Sequence, residues 1–324
     1  MPSLRVMTYN VRYFSHATRG LAATQGGLAG IARAVAALAP LPDIVCLQEV
    51  ETASLRANLA HPRNGDHETQ LARLMESLHR AIEGLGKRDR YAAYYFPAHA
   101  YTLSRRTNIY TTGLAILAHQ DFHVEHHNAL GPQDITHRRL RLVEGLKQTR
   151  ISAHVRFVHR SGESIDIFNT HLSLPASMTR EFWTRPERMG WGRNQLAEAK
   201  NLADFIDAER ASGRFLVMGD FNALPGSPVY RYLTEERGLR DGFRTAHGGD
   251  VDSCRAWPTA GFLTLRMHLD HLFGGQEIEW LDVEGSHPFG RKGDRFHGLS
   301  DHVPIIARCR VPLGAAVRRR ERAA

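Results

Sequence analysis

Apolar and β-branched residues recur along the chain in short runs, several alternating with polar positions. The runs are LRVMTYNV from Leu4, DIVCLQEV from Asp43, RYAAYYF from Arg90, GLAIL from Gly113, RISAHVRFV from Arg150, SIDIFNTHL from Ser164, RFLVMGDFN from Arg214 and MHLDHLF from Met267. Runs this short, rich in β-branched and aromatic residues, predict strands. Between them, Ile31–Ala39, Glu68–Gly84 and Gln195–Ala211 carry apolar residues three and four apart, the spacing of amphipathic helices. Strands dominate and the order is not a strict βαβ alternation. The pattern therefore predicts an α/β protein with two packed sheets flanked by helices, rather than one doubly wound parallel sheet. Irregular polar stretches fall at Phe96–Thr112, Gly131–Arg141, Leu174–Gly192 and Thr245–Gly261. Long loops of this kind often carry function.

Composition narrows the class. The chain has 324 residues, 42% hydrophobic and 23% charged, which suits a soluble globular protein with a large core. No fixed-period repeat, low-complexity tract or long linker divides it, so one domain over residues 1–312 is expected. Residues 313–324, with Arg318, Arg319, Arg320 and Arg322, read as a basic solvated tail. A formal net charge of +8 favours polyanionic partners such as nucleic acid or acidic lipid headgroups. Cys46, Cys254 and Cys309 form neither a CxxC pair nor a metal-site spacing, so no disulfide framework is expected. No signal-peptide pattern and no apolar run long enough to span a bilayer are visible, and a cytoplasmic location is the expectation.

The candidate chemistry sits at strand ends. Asn10 ends MTYN, Glu49 ends IVCLQE, His171 ends IFNTH, Asp220 and Asn222 end FLVMGDFN, and Asp270 lies in MHLDHLF; Asp301 and His302 follow in SDHVP. A side chain at the end of a rigid strand can project into a cleft. Carboxylates, amides and imidazoles together supply what phosphodiester hydrolysis needs: charge neutralisation, an activated water and a stabilised leaving oxygen. Glu49 is a hard oxygen ligand suited to Mg²⁺, and Asn10 completes or orients that site through its amide. Asp220 and Asn222, two apart on an extended segment, should share one face. His302 can polarise a phosphate oxygen, with Asp270 as the partner that orients its ring. Singly, each residue also fits a strand-end or core role, and His171 fits a buried histidine bonded to backbone.

Taken in order, TYN, LQEVE, NTHL, GDFNALPGSP, LDHLF and SDHVP resemble the motifs of the endonuclease/exonuclease/phosphatase superfamily across almost the whole chain. Deoxyribonuclease I, exonuclease III, deadenylases, neutral sphingomyelinases and inositol polyphosphate 5-phosphatases belong to that superfamily. The resemblance implies a four-layer α/β sandwich with the site at one edge of the paired sheets, and Mg²⁺ or Mn²⁺ as cofactor. It also implies roles. Glu49 would be the principal metal ligand, assisted by Asn10 and Asp301; Asp220 would activate water or bind a second metal, with Asn222 beside it. His302, held by Asp270, would contact the scissile phosphate, and His171 would stabilise the developing charge or assist the leaving group, although the acidic partner that some nuclease members place beside this histidine is not identified in the sequence. Lys147 stands near the place of a basic residue that some members use, and equally suits a solvated strand edge.

Loops, not the fold, decide substrate. Arg105, Arg106 and Tyr110, then Arg138, Arg139 and Arg141, then Trp183, Arg185, Arg188, Trp191 and Arg193, combine positive charge with rings or polar groups. Guanidinium groups meet phosphates and rings stack on bases, so a nuclease acting on DNA or RNA is the first expectation. A lipid or sugar-phosphate phosphodiesterase is the alternative, since GDFNALPGSPVYRYL resembles deadenylase- and sphingomyelinase-type members more than the exonuclease III group, and Trp183 and Trp191 also suit a membrane interface. A non-catalytic binder would have no need for the full acidic, amide and histidine set.

Overall fold

The computed structural model describes residues 3–14, 24–50, 69–104, 107–137, 149–175, 188–262, 265–284 and 293–312. With strands numbered in chain order, one sheet runs β14 (Glu279–Glu284), β15 (Ile305–Arg310), β1 (Ser3–Asn10), β2 (Ile44–Val50), β4 (Thr107–His119) and β3 (Tyr91–Ser104). The other runs β10 (Arg240–Asp241), β13 (Asp270–Gly274), β9 (Phe215–Asp220), β8 (Ser164–His171), β7 (Ile151–His159) and β5 (Phe122–His127), with β6 (Gln133–Asp134) also on β7. A separate hairpin joins β11 (Ala260–Phe262) to β12 (Leu265–Met267). Each large sheet has one parallel pair at its centre, β1 with β2 and β8 with β9, and is otherwise antiparallel.

The central strands are apolar on both faces because both faces are covered. Leu4, Val6, Ile44, Cys46, Ile165, Ile167, Leu216 and Met218 meet between the sheets. Their sequence neighbours point the other way. Met7, Tyr9, Val45 and Leu47 pack under α1 (Gln25–Ala36) and α2 (Gln70–Gly84). Phe168, Phe215 and Val217 pack under α3 (Arg193–Glu209) and the segment that begins with α4 (Pro228–Arg231). The result is four layers, helix, sheet, sheet, helix, in agreement with the expected sandwich. Each fully buried large apolar side chain contributes roughly 1.5–3 kcal/mol. Cys46, Cys254 and Cys309 are free and buried. No helix among the described residues is long and apolar enough to cross a membrane.

Local chemistry sets the helix ends. Thr24 Oγ1 accepts from Gly27 N at 3.0 Å and Thr69 Oγ1 from Ala72 N at 3.2 Å, each satisfying an otherwise unpaired amide of the first turn. The first helix begins six residues before the expected Ile31, because Gly26, Gly27 and Gly30 blur its apolar periodicity while Thr24 still caps it. Two stretches expected to be irregular are ordered. Within the expected Phe96–Thr112 stretch, the backbone of Phe96–Ser104 pairs with Thr107–Leu114 as the distal part of the β3–β4 hairpin, with register shifts at Pro97/His99 and beyond Tyr101. Strand pairing there rests on backbone hydrogen bonds, which need no apolar alternation once the hairpin extends past the core. Thr245–Gly261 contains the end of α5 (Gly242–His247) and all of α6 (Val251–Arg255), the latter capped by Asp250 accepting from Ser253 N at 2.8 Å.

A polar seam crosses the apolar inter-sheet layer just beneath the strand ends. Gln48 Nε2 donates to Thr8 Oγ1 at 3.0 Å and to Asn169 Oδ1 at 2.8 Å, while Asn169 Nδ2 donates to the carbonyls of Leu47 and Ala115, both at 3.0 Å. These side chains lock the two sheets in register where the site begins. Gly219 makes the next step feasible. It sits at φ +150°, and a Cβ there would meet Thr170 O at 2.0 Å, so only glycine lets β9 lie this close to β8.

Candidate active site

Four of the expected residues occupy the C-terminal ends of the two central parallel pairs: Asn10 on β1, Glu49 on β2, His171 on β8 and Asp220 on β9. His171 and Asp220 are directly paired, and Asp220 is also paired with Asp270, the first residue of β13. Glu49 lies at φ +56° where β2 slips register against β4, and Asn222 lies at φ +47° just past β9. Left-handed backbone at a residue other than glycine is costly and clusters at functional sites.

The side chains converge on Asp220. Its Oδ2 accepts from Asn10 Nδ2 at 3.0 Å and lies 3.5 Å from His171 Nε2 and 3.8 Å from His302 Nε2. Its Oδ1 accepts from Asn222 N at 2.9 Å. Asn10 Nδ2 also reaches Glu49 Oε1 at 3.2 Å, and His302 Nδ1 bonds Asp270 Oδ2 at 2.8 Å. Asp270 Oδ1 is buried without a hydrogen-bond partner.

Burial and like charge oppose ionisation of the acids. Burial, with Asp270 alongside, raises the Asp220 carboxyl to about 7 against the pull of His302, Asn222 and Asn10. Burial and Asp301 raise Glu49. The histidines split. For His302 burial works against the cation, but Asp270 and Asp220 prevail and raise it to about 10. His171, buried and facing the positive charges of Arg150 and His302, falls well below the ordinary imidazole range. One site thus holds a cationic and a neutral imidazole within 4 Å of the same carboxylate oxygen, the pattern of a divided acid–base assignment.

The surroundings of three of these residues are not those that the sequence displays. Asn222 does not continue an extended strand beside Asp220: it turns back in left-handed conformation, and its Nδ2 donates to Leu172 O at 2.9 Å. Asn10 turns its NH₂ to the carboxylates of Glu49 and Asp220 while its Oδ1 accepts from Arg12 N at 3.0 Å, so it bridges the two acids. Asp301 Oδ2 pairs with Arg12 Nη1 at 2.9 Å, and Asp301 borders the site through that ion pair. The carboxylate beside His171 is Asp220 itself.

Residues to which the sequence reading gave no role support this arrangement. Ser300 Oγ donates to Asn10 O at 2.7 Å and accepts from His302 N at 3.2 Å, tying the last loop to β1. Thr259 Oγ1 accepts from Asp270 N at 3.0 Å. Gln195 Nε2 donates to Ser173 O at 2.8 Å and Asn222 O at 2.7 Å, and its Oε1 accepts from Gly190 N at 3.0 Å. That one amide fastens the loop of Trp191, 56% exposed, to the loops after His171 and Asp220. Their single-residue signals are those of ordinary helix and loop positions, which is why pattern reading cannot find them. Arg105, Arg106, Arg138, Arg139, Arg141, Lys147, Trp183, Arg185 and the basic tail lie outside the described residues.

The donor set suits a divalent cation. Donor atoms of Asp220, Asp270 and His302 lie within 4.8 Å of one another, with the Glu49 carboxylate bonded to the same Asn10 amide. The raised Asp220 and Glu49 carboxyls and the orphaned Asp270 oxygen are what such an ion would relieve.

No curated protein matches the chain by sequence. Solved structures share its fold: the catalytic domain of human Nocturnin (19% identical, TM-score 0.61, 96% of this chain and 94% of that one) and ANGEL2, described as a 2′,3′-cyclic phosphatase (16%, 0.60, 96% of each). A family protein from Leptotrichia buccalis is similar as well (16%, 0.63, 96% of this chain and all of that one). Identities this low speak to fold alone. The family model described as Endonuclease/Exonuclease/phosphatase family matches residues 7–302, nearly the whole sandwich and every strand end that bears the site. The chain belongs to the endonuclease/exonuclease/phosphatase family.

Proposed function

We propose that the protein is a Mg²⁺- or Mn²⁺-dependent phosphodiester hydrolase that acts on nucleic acid. The observation that carries this reading is the convergence of Asn10, His171 and His302 on one oxygen of Asp220, with Glu49 on the same Asn10 amide and Asp270 on His302. Family membership and the oxygen-rich donor set support the metal. Glu49 would be its chief ligand, with Asp220 and Asp270 at hand, and the ion would supply neutralisation of the phosphate's non-bridging oxygens.

The chain's own residues do the rest. Asp220, steadied by Asn10 and the Asn222 amide, takes the proton of the attacking water. His302, oriented by Asp270, donates from Nε2 to a phosphate oxygen. Neutral His171 offers a hydrogen bond to the developing charge rather than a proton. Arg150, whose charge is felt at both Glu49 and His171, adds positive potential near the region where Lys147 was expected to act. The net charge of +8 and the exposed Trp191 ring favour a nucleic-acid strand. The shared fold with ANGEL2, described as a 2′,3′-cyclic phosphatase and also solved with adenosine-2′,3′-vanadate, adds 2′,3′-cyclic phosphates to the candidate substrates.

Purified protein incubated with single- and double-stranded DNA, RNA, 2′,3′-cyclic phosphates, sphingomyelin and inositol phosphates tests the reading. Cleavage of oligonucleotides is expected with Mg²⁺ or Mn²⁺ and not in chelator. Glu49→Gln should lower the rate about 100-fold or more. Full activity of that variant in chelator would refute the metal role, and hydrolysis of lipid or inositol phosphates alone would replace the nucleic-acid substrate.

A further inference from the structure

The far end of the second sheet holds a second group of potential ligands. His126 on β5, His154 on β7 and Glu209, the last residue of α3, bring their donor atoms within 4.8 Å of one another. Glu209 Oε2 lies 3.8 Å from His126 Nε2 and 3.9 Å from His154 Nδ1. This place is remote from the catalytic edge. Asp166, the partner of His154, is opposite Phe215 at the start of the β8–β9 pairing, whereas His171 is opposite Asp220 at its end. Five residues of strand separate them, roughly 16 Å.

His154 is the telling residue. It is fully buried, its ring stacks on Phe168 at 4.5 Å between centroids, and its Nε2 bonds Asp166 Oδ1 at 2.8 Å. Carboxylate acceptance fixes the proton on Nε2 and leaves the Nδ1 lone pair pointing away from Asp166. Nδ1 is buried and has no hydrogen-bond partner. It faces the Glu209 carboxylate, so two acceptors confront each other at 3.9 Å, too long for a proton to bridge as a hydrogen bond. A cation about 2 Å from each fits that gap. The Asp166–His154 pair supplies the carboxylate–imidazole relay that orients metal-bound histidines.

Local backbone serves the same end. A bulge in β5 between Val124 and His126 shifts the register, so that His126 is opposite Arg156 and shares a face with His154. Without the bulge Glu125 would stand there. Bulges re-aim side chains in this way. Arg156 divides its donors between Asp166 Oδ1 at 2.8 Å and the Glu209 carbonyl at 2.6 Å, so its bonds go to the Asp166 carboxylate and the end of α3 rather than to the Glu209 side chain.

We infer that His126, His154 and Glu209 form a binding site for a zinc-class divalent cation, separate from the catalytic centre. Two imidazoles and one carboxylate select Zn²⁺ over Mg²⁺, and a water completes four-coordination. Ligand atoms of a zinc tetrahedron lie about 3.4 Å apart, so Glu209 would close by about half an ångström on each imidazole. His126 and Glu209, 49% and 38% exposed, can move that far. The ion would pin edge strand β5 to the end of α3.

The test uses tag-free, chelator-stripped protein carrying Asp220→Asn, which breaks the catalytic donor group. Titrated with Zn²⁺ in excess Mg²⁺, it should retain one equivalent, unfold at higher temperature, and show visible tetrahedral bands with Co²⁺. Adding Glu209→Gln or His126→Ala, at half-exposed positions the fold tolerates, should abolish all three effects. No retained zinc, or retention unaffected by both substitutions, overturns the site. Neither result bears on the catalytic reading.

Discussion

Asp220 receives the Asn222 amide on one oxygen at 2.9 Å and shares the other among Asn10, His171 and His302. Holding a carboxylate there costs stability, because burial and Asp270 resist its ionisation. The sign follows from the raised pKa: the folded state keeps its proton to higher pH than the unfolded chain, so this group's contribution falls as pH rises from 3.8 toward about 7. Asp220→Asn should therefore raise the thermal midpoint in chelator at pH 8, with a smaller gain at pH 5, while activity drops about 10³-fold. Unchanged activity, or a lower midpoint at pH 8, would remove Asp220 from the centre of the mechanism.

At the scale of elements, Asp166 does for the far end of β8 what Asp220 does for the near end. It binds His154 and Arg156 of β7, each at 2.8 Å, and the Ala211 amide just past α3 at 2.9 Å. Burial pushes its pKa up, but the His154 hydrogen bond, the Ala211 amide and Arg156 outweigh it, and the carboxyl titrates below its ordinary 3.8. A depressed acid stabilises the fold above its unfolded pKa and loses that stabilisation as pH falls through the folded value. Asp166→Asn should cost about 3 kcal/mol at pH 7, since it leaves the Arg156 guanidinium without its carboxylate and strips the buried acceptor shared by His154 and the Ala211 amide. Denaturant unfolding should show the gap between variant and wild type closing below pH 3.8. A gap that is constant with pH would mean that Asp166 acts through packing alone.

For the molecule as a whole, the excess of positive charge sets the long-range field and the Trp191 loop sets what meets it. With Asp220→Asn to prevent cleavage, oligonucleotide affinity should fall linearly in log–log form with salt. Trp191→Ala should cost about 1–3 kcal/mol if its ring stacks on a base. Gln195→Ala should weaken the same binding indirectly, since Gln195 anchors that loop to Ser173 and Asn222. A flat salt profile, or binding to neutral vesicles that depends on Trp191, would favour a lipid substrate.

Much of this was legible in the chain itself. Apolar runs covered on both faces announced the central strands, and Asn10, Glu49, His171, Asp220, Asp270 and His302 stood out because short polar motifs interrupt those runs where the strands end. Periodicity reports burial, and burial is what strands and helices share with any observer of the sequence. It does not report partners. That Asn10 turns its NH₂ rather than its oxygen to the acids, that Asp301 is paired with Arg12, and that Gln195 ties three loops together depend on atoms far apart in sequence. The β5 bulge that brings His126 around to His154 and Glu209 is a matter of register, and a one-residue slip reverses every side chain without altering composition. Strand identity follows from local hydrophobicity; hydrogen-bond direction, ion pairing and register follow only from the packing of two sheets against each other.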